Sequence, residues 1–326
     1  MLQEQALRDV KSRFDAESTA SQVLHGVDLR GRTAIVTGAS SGIGVAIAQS
    51  LAVAGAAVTL AVRDVAAGEA VAADIARQAS TAAPRVLKLD LLSLASVRDF
   101  AAAWGAAPLH LLIHNAGLMG PSFALTEDGF ESQMAVNYFG PFLLSRRLLP
   151  NLRAAGRSRL IMLSSGSHQL AQPDPDDLNY ARRPYDRFEA YGVAKAAANL
   201  FTVGFDRRHR ADGITALVLT PGGVATRLGR HATFEDAVRL GWVREDGSLP
   251  QGAMKTPEQG AATAVWAAVA PELEGRGGLY LEDCGVAPLW APPLPRGWGV
   301  LAATLDPAAA DRLWQATERQ IARAGF

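Results

Sequence analysis

Cysteine is nearly missing from this chain of 326 residues: Cys284 stands alone. One thiol cannot close an intrachain disulfide, and no Cys/His cluster has zinc-site spacing, so no metal is expected. Lysine is scarce as well, with Lys11, Lys88, Lys195 and Lys255 the only four. Neither sign of charge is in excess, since 32 basic residues face 32 acidic ones. Such a balance gives no electrostatic reason to seek nucleic acid or an anionic membrane. Uninterrupted apolar runs of membrane length are also missing. The most apolar stretch, Val45–Val62, is Ala-rich and interrupted by Gln49, Ser50 and Gly55. It reads as a helix, a glycine stop and a buried strand. The leading MLQEQALRDVKSRFDAE is charged throughout and has no signal-peptide core, so a soluble cytoplasmic protein is expected.

What the chain does have is alternation. Short apolar runs at Thr33–Thr37, Val58–Val62, Val86–Leu89, Leu109–His114, Leu160–Ser164, Ile214–Thr220 and Gly278–Leu281 read as strands. Helical patterns lie between most of them, including Ile43–Ala54, Leu94–Trp104, Phe130–Asn151 and Ala190–Arg210. Strand–helix alternation predicts an α/β fold, a doubly wound parallel sheet of about seven strands covered on both faces. No repeat or low-complexity linker splits the chain, so a single domain over 31–287 is expected, with a polar N-terminal arm at 1–30 and a C-terminal tail and helix at 288–326. Two long irregular segments, 166–189 and 227–257, interrupt the alternation and are expected to be substrate loops. In the tail, Pro307–Ala324 resumes a helical pattern with Leu313, Trp314 and Ile321 on one side.

Strand one runs into Thr37-Gly38-Ala39-Ser40-Ser41-Gly42-Ile43-Gly44 and then directly into a helix. A dinucleotide pyrophosphate needs a tight turn, bare backbone and a helix N-terminus with free N–H groups. Glycines 38, 42 and 44 supply the first two, and the strand-to-helix context supplies the third. The spacing GxxxGxG resembles the short-chain dehydrogenase/reductase family rather than the general GxGxxG fingerprint, and the expected fold is then of Rossmann type.

Further motifs follow in that family's order. Arg63 lies just past strand two, where a basic residue suits a ribose 2′-phosphate, while neighbouring Asp64 keeps NAD(H) open; NADP(H) is the preferred expectation. Asp90-Leu91 resembles the family's adenine-contacting pair. Asn115-Ala116-Gly117 matches its strand-four motif, with His114 a departure at the preceding position. Pro221, Gly222, Val224 and Thr226 match the segment that cups the nicotinamide. Together with Gly38, Ser40, Ser41, Gly42, Ile43 and Gly44, these are the expected cofactor-binding residues.

Tyr191 and Lys195 form a YxxxK pair, whose i,i+4 spacing puts both on one helix face. A free phenol titrates near pH 10, and a nearby ammonium lowers that value toward working pH. One of only four lysines falls at the required offset, on the helix after strand five. Ser164 and Ser165 both end that strand; the resemblance favours Ser165 as the hydroxyl that holds the substrate oxygen. It also makes Asn137 the helix-kinking residue of a proton relay. Tyr191 and Lys195 are thus expected to serve both catalysis and cofactor binding. The long 166–189 segment, Asn179-Tyr180, Tyr185-Asp186 and Ala190-Tyr191 are similar to the branch of retinol dehydrogenases, WW-domain oxidoreductases and protochlorophyllide reductases. The resemblance covers about residues 25–285.

It implies an NADPH-dependent carbonyl reductase (a ketoreductase) acting on a lipophilic ketone, aldehyde or alcohol. An NAD-dependent alcohol dehydrogenase, a C=C reductase and a non-catalytic NADP-binding regulator stay open, as does a homo-oligomer. His168 is expected to be a loop histidine without a catalytic role, Arg207–Arg210 a solvated helix end and Cys284 a buried apolar residue. Trp242, Trp290 and Trp298 could cover a bulky substrate or pack on the core.

Overall fold

A strand covered on both faces needs apolar side chains at every position, and the chain supplies such runs in order. In the computed structural model, which describes residues 2–79, 82–249 and 254–326, they become β1 (Thr33–Thr37), β2 (Ala57–Val62), β3 (Arg85–Lys88), β4 (Leu111–His114), β5 (Ser158–Leu163), β6 (Ile214–Leu219), β7 (Leu279–Glu282) and β8 (Gly285–Val286). One sheet holds them in the order β3-β2-β1-β4-β5-β6-β7-β8. All pair in parallel except β8, which folds back on β7.

Successive residues of a strand point to opposite faces, which divides the interior into two layers. Ile35, Leu112, Leu160 and Val218 face one layer, and Ala34, Val36, Ile113, Ile161 and Leu217 the other. The helices are α1 (Leu2–Asp9), α2 (Ala20–Val23), α3 (Gly42–Val53), α4 (Val65–Ala79), α5 (Leu94–Trp104), α6 (Ser132–Met134), α7 (Gly140–Arg147), α8 (Leu149–Ala154), α9 (Arg187–His209), α10 (Phe234–Arg239), α11 (Pro257–Val269) and α12 (Pro307–Arg323). Helices α5, α7, α9 and α12 cover the first layer. Helices α3, α4 and α11 cover the second, with α1 and α2 of the leading arm. Among the described residues, no helix is long and apolar enough to cross a membrane.

Several local results differ from the sequence pattern. The helix expected over 130–151 is broken into α6, a π-helical turn at Ala135–Phe139, α7 and α8. Prolines explain this: Pro141 has no N–H for the Asn137 carbonyl, and Pro150 has none for that of Arg146. Gly140 N–H instead reaches back five residues to Ala135 O. The eighth strand exists because Asp283 (φ 50°) and Cys284 (φ 56°) turn the chain through two left-handed positions. Cys284, fully buried as expected, is held there by its N–H donating to Thr263 Oγ1 at 3.1 Å.

The leading arm is docked rather than merely polar. Buried Gln3 donates from Nε2 to Tyr280 O (2.7 Å) and Ala287 O (2.8 Å) and accepts from Tyr280 N–H (3.0 Å), so its amide stands in for a neighbouring strand. At the other end, α12 forms as its apolar spacing predicts and lays Trp314 on α9, stacked against Phe201 at 5.9 Å. Arg208 joins this contact through Asp311, and Arg210 pairs with Asp206, so the basic run at 207–210 is an intramolecular ion-pair cluster.

Strand order reverses direction between β1 and β4. Loops leaving their carboxyl ends diverge there and open a crevice, as parallel sheets of this kind do.

Candidate active site

Two of the three glycines that follow β1 are required by what they touch. At Gly38 (φ +67°) a Cβ would lie 2.8 Å from Ala116 Cα. At Gly44 it would lie 2.5 Å from both Asn115 Nδ2 and Gly38 O. The turn and the end of β4 are therefore pressed together. Thr37 Oγ1 accepts from Asn115 and Ala116 N–H, both at 3.1 Å, and Asn115 Nδ2 donates to Thr37 O at 2.9 Å. Ser41, at the N-cap of α3, makes no side-chain cap, so the first N–H groups of the helix are left for a ligand.

Every expected site residue except Gly44 and Asn137 lines one cleft of about 1520 Å³ at the carboxyl ends of the strands. Those two stand directly behind it. Asn137 is buried in the π-helical turn, where Nδ2 donates to Leu118 O and Gln133 O (both 2.8 Å) and Oδ1 accepts from Leu118 N–H (3.2 Å). It fixes the loop after β4 that carries Gly117 into the cleft.

At one end of the cleft lie Arg63, exposed one residue past β2, and Asp64, whose carboxylate accepts from Ala67 N–H (3.0 Å) to start α4. Asp90 Oδ1 accepts from Leu92 N–H, and buried Leu91 packs under Gly140. On the opposite wall the segment after β6 closes on the glycine turn: a Cβ on Gly42 would meet the Thr226 methyl at 3.2 Å. Val224 bridges Lys255, whose ammonium pairs with Asp283 at 2.5 Å. Sequence reasoning missed Thr37, Lys255, Glu282 and Asp283. Thr37 was readable as a hydroxyl at the end of an apolar strand, whereas the others depend on long-range contacts.

The middle of the cleft holds Ser165, Tyr191 and Lys195. Tyr191 is buried, which pushes its phenol up to about 12, and the nearby Ser165 hydroxyl pulls the other way. Burial pulls the Lys195 ammonium down to about 8. Its Nζ donates to Leu163 O at 2.8 Å and lies 5.6 Å from the Tyr191 ring centre. The two serines separate clearly. Ser164 is buried and donates to Lys195 O (3.3 Å), while Ser165 faces the cleft, its oxygen accepting from Ser167 N–H (3.1 Å) with its own hydrogen free to donate. Met119, Phe188 and Tyr191 form a separate apolar cluster with Leu228, Ala232 and Leu240 packed against it.

The departure at His114 is structural. Ser145 donates to Pro141 O (2.7 Å), so it accepts from His114 Nε2 (2.8 Å), tying β4 to α7, and burial drops the imidazole to about 3. Of the 166–189 segment only residues 166, 167, 169 and 170 line the cleft. Its middle packs elsewhere: Asn179 joins Glu131 N–H to Gln320, and Tyr185 donates to Glu131. The cleft wall comes instead from 227–249 and 296–298, with Trp242 and Trp298 in it; Trp290 bonds Pro295 O and is not. Positions 250–253 of the second expected loop lie outside the described residues. Among the described residues no group of three or more His, Cys, Asp or Glu could hold a metal ion.

Residues 32–236 match the short chain dehydrogenase family. The chain belongs to that family. It is thus an NAD(P)-dependent oxidoreductase acting on CH–OH or C=O groups. A probable oxidoreductase of Streptomyces antibioticus is 45% identical over 291 residues, covering 89% of this chain and 97% of that one. A mouse polyprenol dehydrogenase is 44% identical over 264 residues, covering 78% and 76%. Among solved structures, the RhlG/NADP active-site complex of Pseudomonas aeruginosa superposes with a TM-score of 0.61 at 28% identity, covering 78% of this chain and 95% of that one. The short-chain dehydrogenase family thereby accounts for the order of the motifs along the cleft.

Proposed function

We propose that this enzyme is an NADPH-dependent reductase of lipophilic ketones and aldehydes, working reversibly, with Tyr191 as proton donor. The observation that carries the reading is a buried, neutral phenol beside a serine hydroxyl at the floor of a cleft with apolar walls. A nicotinamide cofactor held in this cleft would supply the hydride for the carbonyl carbon. The chain's own residues do the rest. Ser165 donates a hydrogen bond to the carbonyl oxygen and holds it beside the phenol. Tyr191 passes its proton to that oxygen, giving the alcohol, and the phenolate left behind is stabilised by Ser165 and by the Lys195 ammonium. Asn137 keeps the Gly117–Leu118 loop in place.

The residues along the cleft suit a dinucleotide. Gly38 and Gly44 bring bare backbone to the uncapped start of α3, where a pyrophosphate is favoured. Arg63 suits a 2′-phosphate, and one oxygen of the neighbouring Asp64 is taken up as a helix cap. The NADP held by the Pseudomonas relative supports the same choice. The apolar walls and the name of the mouse relative favour a long or bulky lipophilic substrate.

The test is oxidation of NADPH and NADH across a panel of ketones, quinones and aldehydes, with Arg63→Ala alongside. Loss of a charged hydrogen bond worth about 1.5–3 kcal/mol should weaken NADPH by roughly 10- to 100-fold and leave NADH unchanged. An unaltered NADPH preference in that variant would remove the 2′-phosphate assignment.

A further inference from the structure

His168 is completely buried in the short 3-10 turn Gly166–Gln169 that follows Ser165. Its backbone N–H and its ring Nδ1 both reach one oxygen, the Ser165 carbonyl, at 3.1 and 2.7 Å. A carbonyl only accepts, so Nδ1 carries the hydrogen and Nε2 is bare. That bare nitrogen accepts from Leu301 N–H at 3.2 Å. One imidazole thus joins the peptide of the serine that lines the cleft with Tyr191 to a segment about 130 residues downstream.

Neighbouring side chains grip the same segment. Gln169 donates to Trp298 O and accepts from Gly297 N–H, both at 2.8 Å, and Glu282 accepts from Gly299 N–H at 2.8 Å. The fit is close enough that a Cβ on Gly166 would lie 2.3 Å from Gly297 O. Arg296, Gly297 and Trp298 then form cleft wall beside Ser165 and Ser167. The clasp therefore fixes two things together: the backbone beneath the Ser165 hydroxyl and the wall that a bulky substrate would meet.

We propose that His168 is a positioning residue that ties Ser165 to the C-terminal strap at 296–301, so that Ser165 is correctly placed only when the strap forms the cleft wall. The proposal rests on the reading of Ser165 as the group that orients the substrate oxygen. It predicts that each half of the imidazole has its own kinetic consequence. The Nδ1 side supports turnover through Ser165, and the Nε2 side supports binding of bulky substrate through the strap.

Three variants separate the halves. His168→Asn keeps a donor where Nδ1 stood and loses the strap. His168→Phe loses both. Leu301→Pro replaces the strap's N–H with a ring carbon that Nε2 cannot bond, at a residue whose φ of −68° suits proline. With NADPH and 9,10-phenanthrenequinone as the bulky probe, His168→Asn and Leu301→Pro should raise KM about fivefold or more with kcat within about twofold. His168→Phe should in addition lower kcat about tenfold or more, with NADPH binding by fluorescence unchanged. A kcat within about twofold of wild type in His168→Phe, or equal loss of kcat in His168→Asn and His168→Phe, would overturn the proposal.

Two readouts do not depend on turnover. In spectra of protein labelled with 15N-histidine, the resonances lost in His168→Asn should belong to a neutral ring protonated at Nδ1. Hydrogen exchange at 296–301 should speed up in Leu301→Pro and in His168→Phe. A ring protonated at Nε2, or exchange unchanged in both variants, overturns the tie. If wild type turns over no probe, the reductase reading fails by itself while these two measurements still decide for or against the tie.

Discussion

Lys195 keeps its charge where burial opposes it, and that conflict is measurable. Its ammonium titrates near 8 in the folded protein against 10.5 when free. Between those values the unfolded chain holds a proton the folded one has shed, so stability should rise with pH from about 8. Buried Cys284, which burial raises to about 11, acts in the opposite sense from about pH 9, and the buried tyrosines Tyr138 and Tyr191 join it above about pH 10. The contribution of Lys195 should approach 3 kcal/mol on an order-of-magnitude scale and should be missing from the pH profile of Lys195→Met. Urea unfolding of the cofactor-free protein at pH 7, 8, 9 and 10 checks this; a rise of equal size in the variant would place its source elsewhere. At this scale the site was well exposed in the sequence. Glycine spacing, the strand-end serines and the i,i+4 pair are all local patterns, and folding brings them to one cleft. Lys255, Glu282 and Asp283 were invisible because no local pattern ties them to Pro221–Thr226; only the sheet does.

Elements formed where their periodicity was unopposed. The last helix, α12, was readable from Leu313, Trp314 and Ile321 alone, and it packs where those residues can be buried against α9. Trp314 is the anchor, with Phe142, Phe201 and Phe205 around its ring and the Arg208 guanidinium 4.3 Å above it. Trp314→Ala should cost about 3–5 kcal/mol, the usual range for removing a large buried aromatic. Chemical denaturation should show a lowered midpoint, and a change below about 1 kcal/mol would mean that α12 is dispensable to the fold. The broken helix expected over 130–151 shows the opposite case. Apolar spacing suggested one continuous element, but Pro141 and Pro150 each remove a donor, and the chain answers with a π-helical turn that holds Asn137. The prolines were in plain view; their consequence depended on which carbonyl each one left unpaired.

At the scale of the whole molecule, the parallel sheet follows from alternation, while its strand order and its closure at the β7 edge do not. Gln3 bonds Tyr280 across 277 positions, and nothing near Gln3 announces that partner. Burial of polar groups also sets the acid limit of the fold. His114 titrates near 3 and His168 near 4, both far below the value of 6.5 for a free imidazole. As pH falls below 6.5 the unfolded chain takes up protons that the folded protein excludes, so stability is lost progressively, by about 1.4 kcal/mol per pH unit for each group. Glu282, which burial raises to about 7, opposes this loss over the same range. His114→Asn should therefore remove about 1.4 kcal/mol per pH unit from the acid-side fall in stability between about pH 6.5 and 4.5, read from urea unfolding. An unchanged slope in the variant would show that His114 is not the source.

The central claim is that Tyr191 gives the proton while other residues hold the cofactor. Tyr191→Phe removes one hydroxyl and leaves the ring among Met119, Phe188 and Leu228. The deciding measurement pairs NADPH binding by fluorescence with steady-state NADPH oxidation on any carbonyl that wild type reduces. Loss of the acid should lower kcat by about 10²-fold or more while NADPH binding stays within about threefold of wild type. A variant that still reduces the carbonyl at a rate near wild type would contradict the mechanism.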